Sequence, residues 1–340
     1  MWYGLHGMTD RKSNPSGEDS LIARYFRPLA TDPGAFNLVD DAAILKASGD
    51  DLVVTTDAIV EGVHFLSGDP PDTVARKALR VNLSDLAAKG ATPAGFVLTL
   101  ALRAADDAWL GPFARGLGED AADFGCPLLG GDTVSTPGPL MISITAFGRV
   151  PAGRMVHRSR AKPGDRVVVT GTIGDAALGL DILKGGAAAA ALAEDAAAKQ
   201  MLVGRYHVPQ PRNALAKAIR DHASAAMDVS DGLAGDLAKL CAASGVSAVI
   251  DAPSIPVSAA AATLLARGTV GIETIVSGGD DYEILCAIPE SSFEAFALAA
   301  DIAGVAVTSI GTVIAGSSVP GFLDAQGREM PLPRLSYSHF

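Results

Sequence analysis

Apolar positions along this chain follow two rhythms, short β-branched runs and longer stretches with helical spacing, and the two take turns from one end to the other. SLIARYF, with Leu21, Ile22, Tyr25 and Phe26 at helical spacing, opens the ordered part. DLVVTTDAIV predicts a strand ending on Asp57. Pro70 and Pro71 followed by Asp72 start a helix that runs through VARKALRVNLSDLAAKG to a stop at Gly90, which puts Asp85 on a helix. FVLTLAL and LMISITAFGRV read as strands, separated by the helix WLGPFARGLGEDAADFG and a turn carrying Gly130, Gly131 and Asp132. The second half begins with the strand RVVVTG and a helix from near Asp175. A further helix, the turn DVSDG and the helix GLAGDLAKLCAASG follow. SAVIDA, TIVSGG, EILCAIP and VTSIGTVI are expected strands, with SSFEAFALAADIAG as a helix before the last.

Alternating strands and helices predict an α/β protein with α+β layers. The segment PAGRMVHRSRAKPGDR interrupts the pattern with two prolines and with Arg154, His157, Arg158, Arg160, Lys162 and Arg166. A boundary near residue 150 therefore divides the chain into two α/β domains, residues 20–150 and 151–340, behind a polar, flexible leader of residues 1–19. LSDLAAKG and VSDGLAGDLAKL are faintly alike, too briefly to establish a repeat.

Composition narrows the classes. The chain has 340 residues, and a hydrophobic content of 49% supplies two cores. A net charge of -11 excludes the basic footprint that a nucleic-acid binder needs to displace counterions. Cys126, Cys241 and Cys286 stand apart in apolar surroundings without C-x-x-C spacing, as reduced thiols of a cytoplasmic protein do. No stretch has the apolar length of a signal peptide or a membrane span.

The candidate chemistry lies in aspartates set among small residues: Asp40 and Asp41 in VDDAA, Asp57 in TTDA, Asp85 in NLSDLAAKG, Asp132 in GGDT, Asp228 and Asp231 in DVSDG, and Asp280 and Asp281 in SGGDDYE. Asp165 and Asp175 are expected to serve only turns and helix starts. The close pairs differ, because like charges a few ångströms apart destabilise a fold unless a cation or proton intervenes. Oxygen ligands of this kind suit Mg²⁺, and Mg²⁺ in enzymes commonly accompanies phosphates. Thr55 and Thr56, directly before Asp57, could add oxygens to such a shell. Arg158 and its basic neighbours are the best phosphate-pairing donors in an acidic chain. No G-x-x-x-x-G-K-[ST] is present, and GLGEDA at Gly116 lies inside a helical pattern, not after a strand.

In this order, SLIARYF, VDDAA, TTDAIVEGVHF, KALRVNLSDLAAKGA, LLGGDT, RSRAKPGD, MDVSDGL and SGGDDYE resemble the thiamine-monophosphate kinase family. That family belongs to the superfamily of aminoimidazole ribonucleotide synthetase, selenophosphate synthetase and the hydrogenase maturation ATPase. The likeness runs from about Ser20 to the C-terminus. It implies an aminoimidazole ribonucleotide synthetase-like fold whose N-terminal sheet forms a homodimer. It also implies ATP-dependent phosphorylation of thiamine monophosphate to thiamine diphosphate with several Mg²⁺ ions. Carried over to matching positions, Asp41, Thr55, Thr56, Asp57, Asp85, Asp132, Asp228 and Asp231 would hold the metals. Gly131, Asp132, Arg158 and Ser230 would contact ATP, and His64, Asp280 and Tyr337 the thiamine substrate. The chain departs from the family at Asp280, often Glu, at Tyr337, often Trp, and at Val39, usually Gly.

A phosphate monoester acceptor is largely ionised near neutrality, its second pKa being about 6, so no side-chain acid or base is expected. Direct in-line transfer, catalysed by positioning and electrostatics, is the mechanism this implies. The alternatives are a purine-intermediate synthetase of the same superfamily and a non-catalytic metal-binding regulator. Selenophosphate synthetase is disfavoured because it typically carries a reactive Cys or selenocysteine near the N-terminus, whereas the first cysteine here is Cys126.

Overall fold

The computed structural model describes residues 20–38, 43, 45–332 and 334–336. The expected leader, Asp40, Asp41 and Tyr337 lie outside the described residues. A four-stranded sheet in the order β1-β4-β2-β3 is built from β1 (Asp51–Val60), β2 (Thr92–Leu102), β3 (Leu128–Ser135) and β4 (Met141–Val150). β2 and β3 are parallel and the other neighbours antiparallel. Helices α1 (Pro71–Ala88) and α2 (Asp107–Asp123) cover one face. Pro71 opens α1 with φ already set for a helix, and the Asp106 carboxylate caps α2 by accepting from the Ala108 N–H at 2.9 Å.

A six-stranded sheet follows, in the order β10-β7-β9-β5-β8-β6. Its strands are β5 (Arg166–Thr170), β6 (Ala225–Val229), β7 (Ser247–Asp251), β8 (Glu283–Ile288), β9 (Val307–Ile314) and β10 (Gly321–Leu323). Its helices are α3 (Asp175–Leu183), α4 (Ala187–Ala191), α5 (Ala196–His207), α6 (Ala216–His222), α7 (Leu233–Ser244), α8 (Ala259–Ala266), α9 (Ile272–Ser277) and α10 (Phe293–Ile302). Both faces of this sheet are covered. Val167 and Val169 point into a core with Leu237, while Val168, between them, packs against Ile219 and Phe296 on the other side.

Helix α1 joins the two halves. Leu79, Leu83 and Leu86 enter the first core, whereas Ala87 and Ala88 pack with Val168 and Cys286 of the second sheet. The polar residues of α1 reach out in more than one direction: Arg80 pairs with Asp120 of α2, and Asp85 emerges in the gap between the two cores.

Three sequence expectations are corrected. TIVSGG is not a strand: Ile272–Ser277 is α9, with the Gly278 N–H closing on the Thr274 carbonyl at 3.1 Å, because burying Ile275 and Val276 outweighs β-branched preference. Gly130, Gly131 and Asp132 lie within β3, not in a turn. A Cβ at Gly131 would stand 1.9 Å from the Leu98 carbonyl oxygen, so the glycine serves close strand approach. Asp57 does not end its strand, since β1 continues to Val60.

Candidate functional site between the two sheets

Four segments converge where α1 bridges the sheets: β1, α1, the turn after β6, and the loop between α9 and β8. The loop is bonded to the turn, with the Asp280 N–H donating to the Ser230 carbonyl (2.8 Å) and the Tyr282 N–H to that of Val229 (2.8 Å). Asp280 and Tyr282 have φ of 71° and 49°, a left-handed backbone that costs side-chain-bearing residues on the order of 1 kcal/mol each. These bonds hold the strained loop against the turn.

The convergence leaves a cleft of about 490 Å³ that includes Asp57, His64, Asp85, Asp228, Asp231 and Asp280 in its lining. A second cleft, of about 550 Å³, is lined by Lys89, His157, Arg158 and Lys239. Asp85, Asp228, Ser230 and Asp231 belong to both, so they form a wall with one cleft on either side.

Electrostatically the wall is crowded with carboxylates, and Lys239 meets only Asp231 among them. Burial, with Asp85 and Asp231 adding to it, pushes the Asp57 carboxyl up to about 6. Burial also drives Asp228 well above the usual carboxylate range, reinforced by Asp85, Asp236 and Asp57. The Thr55 hydroxyl donates to Asp85 Oδ2 at 2.5 Å. The donor set is carboxylate and hydroxyl oxygen throughout, which fits a hard divalent cation. Among the described residues no three His, Cys, Asp or Glu side chains are gathered tightly enough to enclose an ion by themselves. Mg²⁺ commonly takes one or two carboxylates and completes its shell with water and phosphate oxygens.

The structure does not bring every expected residue to this wall. Side chains alternate along β1, so Thr56 faces away from Thr55 and Asp57; its hydroxyl bonds the Ile144 carbonyl (3.2 Å) and accepts from Thr145 (3.0 Å). Asp132 sits on β3, at the opposite edge from β1, three strand spacings or roughly 14 Å across the sheet. Its partner in register is Thr99, between the core residues Leu98 and Leu100, so both point to the outer face. Gly131 and Asp132 line a separate cleft of about 400 Å³ with Ile22, Phe26 and Val97. Asp281 turns away from the wall and caps α3, accepting from Gly174 N–H (2.8 Å) and Ala176 N–H (3.4 Å).

His64 Nδ1 accepts from the Val60 N–H at 3.0 Å, which leaves the proton of the neutral ring on Nε2. Four residues that sequence reasoning missed also act here. Asp236, fully buried in the first turn of α7, accepts from the Asp231 N–H at 2.9 Å, and Lys239 pairs with both aspartates. Lys89 Nζ donates to the Ala226 carbonyl (2.8 Å), its pKa lowered by burial. Lys77 meets Asp280. A signal existed for Lys77, which stands two i+4 steps before Asp85 on the same helix face.

Comparison with known proteins agrees with this architecture. Residues 39–150 match the AIR synthase related protein N-terminal domain and residues 162–323 its C-terminal domain, so the chain is a two-domain protein of the AIR synthase related class. A thiamine-monophosphate kinase from Caulobacter vibrioides is 44% identical over 344 residues, covering 99% of this chain and 95% of the relative. The chain belongs to the thiamine-monophosphate kinase family and is a phosphotransferase. The crystal structure of thiamine-monophosphate kinase from Stenotrophomonas maltophilia K279a superposes with a TM-score of 0.79 at 37% identity, covering 92% of this chain and 96% of that one. AaThiL complexed with AMPPCP and TMP does so with a TM-score of 0.74 at 29% identity, over 90% and 97%.

Proposed function

We propose that this enzyme transfers the γ-phosphoryl group of ATP directly to thiamine monophosphate, giving thiamine diphosphate, across the aspartate wall between the two clefts. The shared wall carries this reading: a donor in the cleft of Arg158, Lys89 and Lys239 and an acceptor in the cleft of His64 and Asp280 would meet at Asp85, Asp228 and Asp231. A complex of a relative with AMPPCP and TMP supports the pairing of ligands.

Asp57, Asp85, Asp228 and Asp231, with the Thr55 hydroxyl, would hold Mg²⁺. When bound, the metal would screen repulsion between the two anionic phosphates and stabilise charge on the transferring group. Arg158 pairs with donor phosphate oxygens, and Ser230 offers a hydroxyl beside them. His64 and Asp280 orient the acceptor, whose ionised phosphate is the nucleophile without help from a base.

The reading extends to a cytoplasmic homodimer of chains divided near residue 150. All three cysteines are free and buried, and no helix among the described residues is long and apolar enough to cross a membrane. The outer face of the first sheet exposes Leu52 (45%) and Val54 (55%), and β1 and β3 are its two edges. Pairing β1 of one copy with β3 of another would cover both edges.

A coupled assay of ADP release with thiamine monophosphate, with aminoimidazole precursors and with no acceptor tests the activity. Turnover only with thiamine monophosphate is expected; turnover with a purine intermediate alone would assign the chain to the synthetases.

A further inference from the structure

One buried cation lies beyond the acceptor cleft, and the mechanism above does not use it. Lys77, on α1, is 2% exposed. Its Nζ donates to Asp280 Oδ2 at 2.8 Å and to the His64 carbonyl at 2.9 Å, and stands 3.9 Å from the centroid of the Tyr206 ring. The Tyr206 hydroxyl lies 3.4 Å from the same His64 carbonyl. These groups come from four places in the chain: α1, the segment after β1, α5 of the second half, and the strained loop before β8.

A buried ammonium is expensive unless its N–H groups are met. Two oxygens and an aromatic face meet this one. Two of its three partners belong to the residues that would receive the acceptor. Asp280 keeps 24% of its side chain exposed, so Lys77 holds one carboxylate oxygen from behind while the group still borders the cleft. Without Lys77 the carboxylate would be left, among the described residues, with a long bond from the Tyr282 hydroxyl to Asp280 Oδ1, 3.4 Å. The His64 carbonyl would lose its charged partner, leaving the bonds to Val60 and the longer one from the Tyr206 hydroxyl to hold the segment that presents the imidazole.

We propose that Lys77 is a positioning residue for the acceptor, fixing Asp280 and the His64 segment in the arrangement that receives thiamine monophosphate. This rests on the assignment of that cleft to the acceptor. Lys77 lines neither cleft itself, but the two oxygens it meets belong to His64 and Asp280, which line the acceptor cleft and not the donor cleft, so its effect falls on one substrate. Arginine is a poor substitute, because a planar fork does not fit where a compact ammonium meets three partners.

The test is steady-state kinetics and thermal melts of full-length Lys77→Met, Asp280→Asn and the double variant, with each substrate varied in turn. Lys77→Met should raise the KM for thiamine monophosphate about tenfold and leave the KM for ATP within twofold, the scale of one charge-assisted contact. The double variant should be no worse than the poorer single one, because both break the same link. Equal shifts in both KM values, or additive losses, would overturn the proposal. Should Lys77→Met fail to fold, Tyr206→Leu decides: a selective rise in the acceptor KM supports the proposal, and unchanged acceptor kinetics overturn it. Wild-type protein inactive on thiamine monophosphate would instead defeat the acceptor assignment itself.

Discussion

Thr55 Oγ1 on β1 donates a hydrogen bond to Asp85 Oδ2 on α1, 2.5 Å away. The bond fixes one carboxylate oxygen of the wall and leaves the other for the cleft. Thr55→Val should therefore lower kcat about tenfold, the scale of a hydrogen bond to a charged group, while Thr55→Ser retains most activity. Rates of ADP release with both substrates saturating measure this, and a Thr55→Val enzyme as fast as wild type would remove Thr55 from the site.

Asp57 links pH to stability. Its folded-state pKa of about 6 lies above the ordinary aspartate value of 3.8, so between these limits the folded protein binds more protons than the unfolded one. Stability from this group is present at low pH and is lost as pH rises towards 6. Asn does not titrate. In chelator, Asp57→Asn should gain melting temperature relative to wild type as pH rises from about 4 to 6.5, and excess Mg²⁺ should close the gap by stabilising wild type alone. A difference independent of both pH and Mg²⁺ would contradict the cause assigned to the shift.

The separation of Asp57 from Asp132 yields a mixing experiment. If each site takes Asp57 from one copy and Asp132 from the other, both single Asn variants are inactive as homodimers. A hybrid dimer would retain one intact site. Equal mixing after dissociation should recover about one quarter of wild-type activity, since half the dimers are hybrids with one working site of two. No recovery in verified hybrids would place all required carboxylates within one copy.

Arg158 and His64 border different clefts. Arg158→Ala should raise the KM for ATP by about tenfold or more, as loss of a charged phosphate contact does, and His64→Ala should act on the KM for thiamine monophosphate. Reversed selectivity would exchange the donor and acceptor clefts.

Much of the wall was legible because its residues sit in local patterns. Asp85 reads as helical from Pro71 and the apolar spacing that follows, and Asp228 and Asp231 stand at the end of a short apolar run. The facing of Thr56 is legible in the sequence, since the period of two along a strand places it opposite Thr55. Ile272–Ser277 was not legible: β-branched residues suit a strand, and only the space left beside α7 favours a helical turn.

The sequence by itself determined the family, the alternation of strands and helices, and the oxygen-rich, cation-seeking character of the site. These follow from residue types and short spacings. Only the tertiary structure decided that the aspartates form a wall between two clefts, that Asp132 stands at the far edge of the first sheet, and that Lys77 meets Asp280, 203 residues further on. Local chemistry is set by neighbours in the chain. Which buried charges meet is set by the packing of α1 between two cores, a long-range balance of burial and charge pairing that no short window contains.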